Sequence, residues 1–157
     1  MTNNDTIRKL RYILDYSDDQ MIATFGSGGK EVTRSEVSDW LKKEDDEQHQ
    51  PINDHNLAIF LNGVINNKRG KKEGVQPEAE KQLTNNLILK KLKIAYNLKD
   101  VEILDLFSLV SLRVGKAELN ALFRKPGHKH YRECKDQFLR NFIYGLEKKY
   151  GPKKETK

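Results

Sequence analysis

Apolar side chains recur along this chain at three- and four-residue intervals, and the whole pattern recurs 82 positions later. Ile7, Leu10 and Leu14 are followed by Leu89, Leu92 and Tyr96. Met21, Ile22 and Phe25 are followed by Ile103, Leu104 and Phe107. Val37, Trp40 and Leu41 return as Leu119, Leu122 and Phe123, and Leu57, Phe60, Leu61 and Val64 as Leu139, Phe142, Ile143 and Leu146. Such spacing lines one face of a helix. Four helices per copy are predicted, at about 4–16, 18–26, 34–43 and 53–67, then 86–98, 100–108, 116–125 and 135–149. Asn4, Ser17 and Asn53 are read as N-caps, and Thr33 with Glu36 as a capping box. Glycines 26, 28 and 29 close the second helix, and Pro126-Gly127 stops the third helix of the second copy.

Identities follow the same register: Asn3-Asn4 with Asn85-Asn86, Lys9-Leu10 with Lys91-Leu92, Phe25 with Phe107, Glu36 with Glu118, Asp54 with Asp136, and Gly63 with Gly145. The fold class is therefore all-α, a tandem duplication of a four-helix repeat containing a helix-turn-helix-like pair. The expected division is a first repeat at 1–72, a polar linker at 73–84, a second repeat at 85–150 and a basic, flexible tail at 151–157. Cores of about seventy residues are marginal alone, so the repeats are expected to pack together as a pseudo-symmetric unit.

Charge divides the copies. Residues 1–74 carry 11 basic and 13 acidic side chains, while residues 75–157 carry 18 and 10. A basic second copy fits a polyanionic partner, or attraction between the halves. No apolar run approaches the ~18 residues of a membrane span, and the N-terminus lacks a signal-peptide layout. A single cysteine, Cys134, excludes an intramolecular disulfide and fits a reducing compartment. The expectation is a cytoplasmic protein with no membrane partner.

The stretches WLKKEDDE (40–47), FLNGVINNKRGKKEG (60–74), NNLILKKLKIAYNLK (85–99) and PGHKHYRECKDQFLRNFIYGL (126–146) are similar to the bacterial YehS-like family. The resemblance spans nearly the whole chain and includes its duplicated layout. It implies a small bacterial cytoplasmic protein of unknown function and supplies no catalytic residues.

Few residues carry recognisable chemistry. His128, His130 and Cys134 are thiolate and imidazole ligand types, but a structural zinc site needs four ligands and no fourth is near in sequence. Cys134 also occupies the repeat position of Ile52, as a small buried residue would. The segment reads as a packed cysteine beside solvated histidines, with no metal or cofactor. Gly26–Lys30, GSGGK, lacks the spacing and preceding strand of a phosphate loop, and reads as a helix C-cap and turn. Glu44–Glu47 lacks calcium-loop spacing and reads as a solvated loop. No catalytic set is visible, and the reading leans away from an enzyme. Lysines following the fourth helix of each copy complement its dipole.

The second and third helices of each copy are the most informative. The outer face of the third shows Arg34, Ser38 and Lys42 at four-residue spacing, and Lys116, Asn120, Arg124 with Lys125 in the second copy. A basic–polar–basic stripe suits phosphates and base edges. Three features oppose it. The turn, at about eight residues, exceeds the usual three or four; the acidic run follows the first copy's stripe; and any soluble amphipathic helix has a charged face. Nucleic acid is the expected partner, mainly through the second copy. The alternative is a non-catalytic module that docks a protein or a second copy of itself.

Overall fold

Thr2, Ser17 and Thr33 each accept a bond from the backbone N–H three residues on, while the side chain found there accepts from the cap's own N–H. These capping boxes open the first three helices. In the computed structural model, which describes residues 1–153, the helices are α1 (Asn3–Leu14), α2 (Asp18–Ser27), α3 (Arg34–Leu41), α4 (Asp54–Arg69), α5 (Asn85–Ala95), α6 (Asp100–Leu109), α7 (Lys116–Leu122) and α8 (Asp136–Tyr150). No strand occurs among the described residues. Most of the 151–157 tail lies outside them. None of the described helices is long and apolar enough to cross a membrane.

The two copies share a backbone path down to single hydrogen bonds. Asn4 Nδ2 donates to the carbonyls of Trp40 (2.8 Å) and Gln50 (2.9 Å), while its Oδ1 accepts from Ile52 N–H (3.2 Å). Asn86 repeats this with Leu122 (3.0 Å), Arg132 (2.9 Å) and Cys134 N–H (2.8 Å). Left-handed residues recur too: Asp15 and Asn97 at φ 55° and 53°, Gly29 and Ser111 at 107° and 60°. Asn4 is therefore a buried clamp and Thr2 the N-cap, a correction to the sequence reading. The clamp also corrects the third helices, which end at Leu41 and Leu122 rather than 43 and 125. Its amide occupies a carbonyl of the last turn, and the chain then departs, with Lys42 already extended at ψ 151°. Pro126-Gly127 lies beyond a helix already finished.

The helices α1, α4, α5 and α8 form the centre. Asp54 accepts from Asn3 of its own repeat (2.7 Å) and from Leu83 N–H across the seam (2.9 Å). Its counterpart Asp136 accepts from Asn85 (2.7 Å) and from the Met1 ammonium (2.9 Å). All four N-termini thus gather at one end. At the other, Asn67 donates to the Tyr16 hydroxyl, Lys68 lies 4.3 Å over the Tyr96 ring, and Tyr96 stacks on Tyr150 at 4.7 Å. The four helices run in the same direction, and α1–α8 and α4–α5 contacts exchange under the 82-residue shift. Aligned dipoles repel side by side. First-turn Asp5, Asp54 and Asp136, and last-turn Arg11, Lys68, Arg69, Lys93 and Lys148, offset that repulsion.

α2 packs on α4 and α6 on α8 at glycines. A Cβ on Gly63 would overlap the Thr24 carbonyl oxygen, and one on Gly145 would come within 2.5 Å of the Leu106 oxygen. These contacts bring Phe25 against Trp40 and Phe60, each 5.2 Å between centroids, and Phe107 against Phe142 at 5.9 Å. Both aromatic groups belong to one continuous core that runs through the seam, as two small repeats need.

Candidate nucleic-acid interface

α7 buries Leu119 and Leu122 and turns Asn120 outward. The chain that leaves it loops through 123–131 and returns, and Arg132 N–H donates to the Ala121 carbonyl (3.1 Å). Within the loop His128 N–H bonds Lys125 O (2.9 Å), and His128 Nδ1 accepts from His130 N–H (3.0 Å). The Asn86 clamp fixes both ends. An open groove of about 860 Å³ results, lined by Glu118 and Asn120 of α7 and by Arg124, Lys129, His130 and Arg132 of the chain that leaves it and returns. Lys116 and Lys125 are exposed on the same helix and loop. Among the described residues, no ion pair engages Lys116, Arg124, Lys125, Lys129 or Arg132.

The sequence-predicted residues separate here. Asn120 sits on the helix as expected. Arg124 and Lys125 do not, because α7 has already ended; they belong to the loop, from which Arg124 lines the groove, so no helical stripe exists. Arg34 of the first repeat is held by Asp18 (3.2 Å) and Asp19, and Lys42 by Asp39 (3.1 Å). Ser38 is exposed. The connections 28–33 and 110–115 are six residues long, shorter than the sequence reading held.

Lys129 and Arg132 were missed by sequence reasoning, which followed one helix face, and His130 was read there as a solvated histidine and not as part of this surface. The signal was available: these positions align with Glu47, Gln48 and Gln50, a change of charge within an otherwise repeated loop. Cys134 is buried and its thiol is pushed up to about 11, by burial first and by the nearby Asp136 carboxylate second. His128 and His130 stay exposed, and no cluster of three or more His, Cys, Asp or Glu side chains is placed to hold a metal among the described residues.

Comparison with known proteins follows the duplication. The family model described as "Protein of unknown function (DUF1456)" matches residues 3–70 and again 85–151. The chain belongs to this family. It is 42% identical to the "Uncharacterized protein YehS" of Escherichia coli (strain K12) over 155 residues, 98% of this chain and 99% of the relative. No solved structure matches. Membership fixes the two-copy organisation and leaves the chemistry to be argued from the geometry.

Proposed function

We propose that the chain binds nucleic acid through the groove of the second repeat, with Arg124, Lys129 and Arg132 meeting phosphates and Asn120 contacting a sugar or base edge. Lys116 and Lys125 extend the cationic rim. The α6–α7 pair then acts as a helix-turn-helix-like unit in which the returning loop carries as much of the contact as the helix. The observation that carries this reading is the change of sign between equivalent surfaces. In the first repeat the equivalent groove positions hold Glu36, Asp39, Lys42 and Glu47, and Asp39 already pairs with Lys42. In the second they hold Glu118, Ala121, Arg124 and Lys129, with Arg132 in place of Gln50. Free cations on a concave surface gain from counterion release, whereas internally paired ones gain little.

The test is fluorescence anisotropy with labelled duplex DNA, single-stranded DNA and RNA. Three phosphate contacts give a slope of about −2.7 in log K against log salt, a loss of about fortyfold between 50 and 200 mM. Arg124→Glu with Lys129→Glu removes binding, while Arg34→Glu leaves it intact. Absence of binding to all three at low salt overturns the proposal. The acidic surface of the first repeat favours a second reading, docking of a basic protein or of a second copy onto Asp45 and Asp46. Sedimentation and cross-linking of the wild type against Asp45→Lys with Asp46→Lys test that reading, and an unchanged monomer with no captured partner excludes it.

A further inference from the structure

The two seams between the repeats are pseudo-equivalent but filled differently. At the α1–α8 seam, Lys9 pairs with Glu147 and lies 5.0 Å over the Tyr144 ring. At the α4–α5 seam the matching Lys91 donates to Asn62, and Asn62 and Ile65 take the places of Tyr144 and Glu147. The smaller side chains leave a cleft of about 490 Å³, roofed by the segment 70–84. That volume falls in the ~300–1,000 Å³ range of small-molecule sites.

Its chemistry is uneven. Ile65, Leu87 and Ile94 supply an apolar wall, and Arg69, Lys72 and Lys90 stand around it. Lys91 is only 9% exposed. Its ammonium lies 2.6 Å from Asn62 Oδ1 and 2.9 Å from Glu80 Oε1. The Glu80 oxygen is buried at ion-pair distance without hydrogen-bond alignment to any partner. Burial alone would raise the Glu80 carboxyl; the charge of the adjacent Lys91 ammonium and its own backbone hold it low. A buried ion pair is no better for stability than apolar packing of the same volume. Since Lys91 claims Oδ1, the Asn62 side chain keeps two N–H donors at its other end.

We propose that this cleft binds a small organic phosphate, with its ring or apolar body on Ile65 and Leu87 and its phosphate met by Arg69, Lys90 and the Asn62 amide. Lysines serve as point charges for phosphate, and arginine adds a bidentate fork. Glu80 closes the floor by fixing Lys91 and ties down the roof through it. The site lies on α4 and α5, apart from the α7 groove, and does not depend on nucleic-acid binding.

The experiment titrates the full chain with AMP, adenosine and inorganic phosphate, following backbone amide shifts of Asn62, Ile65, Leu87 and Lys91 by NMR. AMP is expected to give saturable shifts at these residues, with adenosine and inorganic phosphate each at least about tenfold weaker, since each lacks one half of the recognised chemistry. Arg69→Glu with Lys90→Glu, both exposed and thus tolerated by the fold, weakens AMP by about tenfold or more. Arg124→Glu with Lys129→Glu leaves AMP binding unchanged, which separates this site from the groove. No saturable shifts at millimolar AMP, adenosine or inorganic phosphate binding as well as AMP, or an unaffected Arg69→Glu/Lys90→Glu variant each overturns the proposal.

Discussion

The first and second repeats share a scaffold and differ in what they offer to solvent. The Asn4 and Asn86 clamps make the same three bonds, and Asp54 and Asp136 cross the seam in the same way. The loops after the third helices also keep their shape, although different acceptors close them. Asp46 Oδ1 receives Gln48 N–H (2.8 Å) in one, and His128 Nδ1 receives His130 N–H in the other. Around these loops the outward side chains diverge, from acidic and internally paired to basic and unengaged. Buried hydrogen bonds constrain sequence because an orphaned polar group costs about 1–3 kcal/mol, whereas surface changes away from such features stay within about 0.5 kcal/mol. A duplicated protein can therefore change the charge of one surface without loss of fold.

That comparison can be broken most forcefully at the clamps. Asn4→Ala and Asn86→Ala each strand two carbonyls and one N–H, and each is expected to lower unfolding free energy by about 3 kcal/mol in urea titrations. Clearly unequal losses would mean that the repeats are not equivalent inside. Gly63→Ala should cost about 2–3 kcal/mol, because backbone must move away from the new Cβ. Gly145→Ala should cost less, since its clash with the Leu106 carbonyl is milder. A transplant then sharpens the contrast outside. Ala121→Asp with Lys129→Glu gives the second repeat two of the first one's acidic groups, and should abolish nucleic-acid binding while stability changes by about 0.5 kcal/mol or less.

Acid should reach both seams. The Asp136 carboxyl is held below the usual range by the Met1 ammonium and then by Asn85, and Glu80 is held low against its burial by Lys91. Folded values below unfolded ones mean that this stability is complete above the ordinary carboxyl range and is lost as pH falls through the depressed values. Thermal melts should be flat above about pH 5 and decline below about pH 4, and Glu80→Gln should shallow the decline. A small effect is expected at Cys134. Exchange for its counterpart, Cys134→Ile, should shift stability by less than about 1.5 kcal/mol. The native thiol, pushed up to about 11, should resist alkylation at pH 7 until the protein unfolds.

The eight helices of the described residues, the duplication and the register between its copies were readable from the chain, because three- and four-residue spacing and capping residues are local signals. Thr33 with Glu36 and Asn53 capped as their types implied. Asn4 misled, because an asparagine near a helix start looks the same whether it caps that helix or reaches Trp40 and Gln50. The end of α7 was invisible for the same reason: it is set by Asn86, 36 residues earlier in the chain. So was the groove, whose second wall comes from a loop returning to Ala121. The difference between the seams, with Lys91 in one and Lys9 in the other, arises only when the repeats dock. Periodicity specifies which face of a helix is buried, while the identity of the neighbour that buries it depends on contacts between residues far apart in the chain.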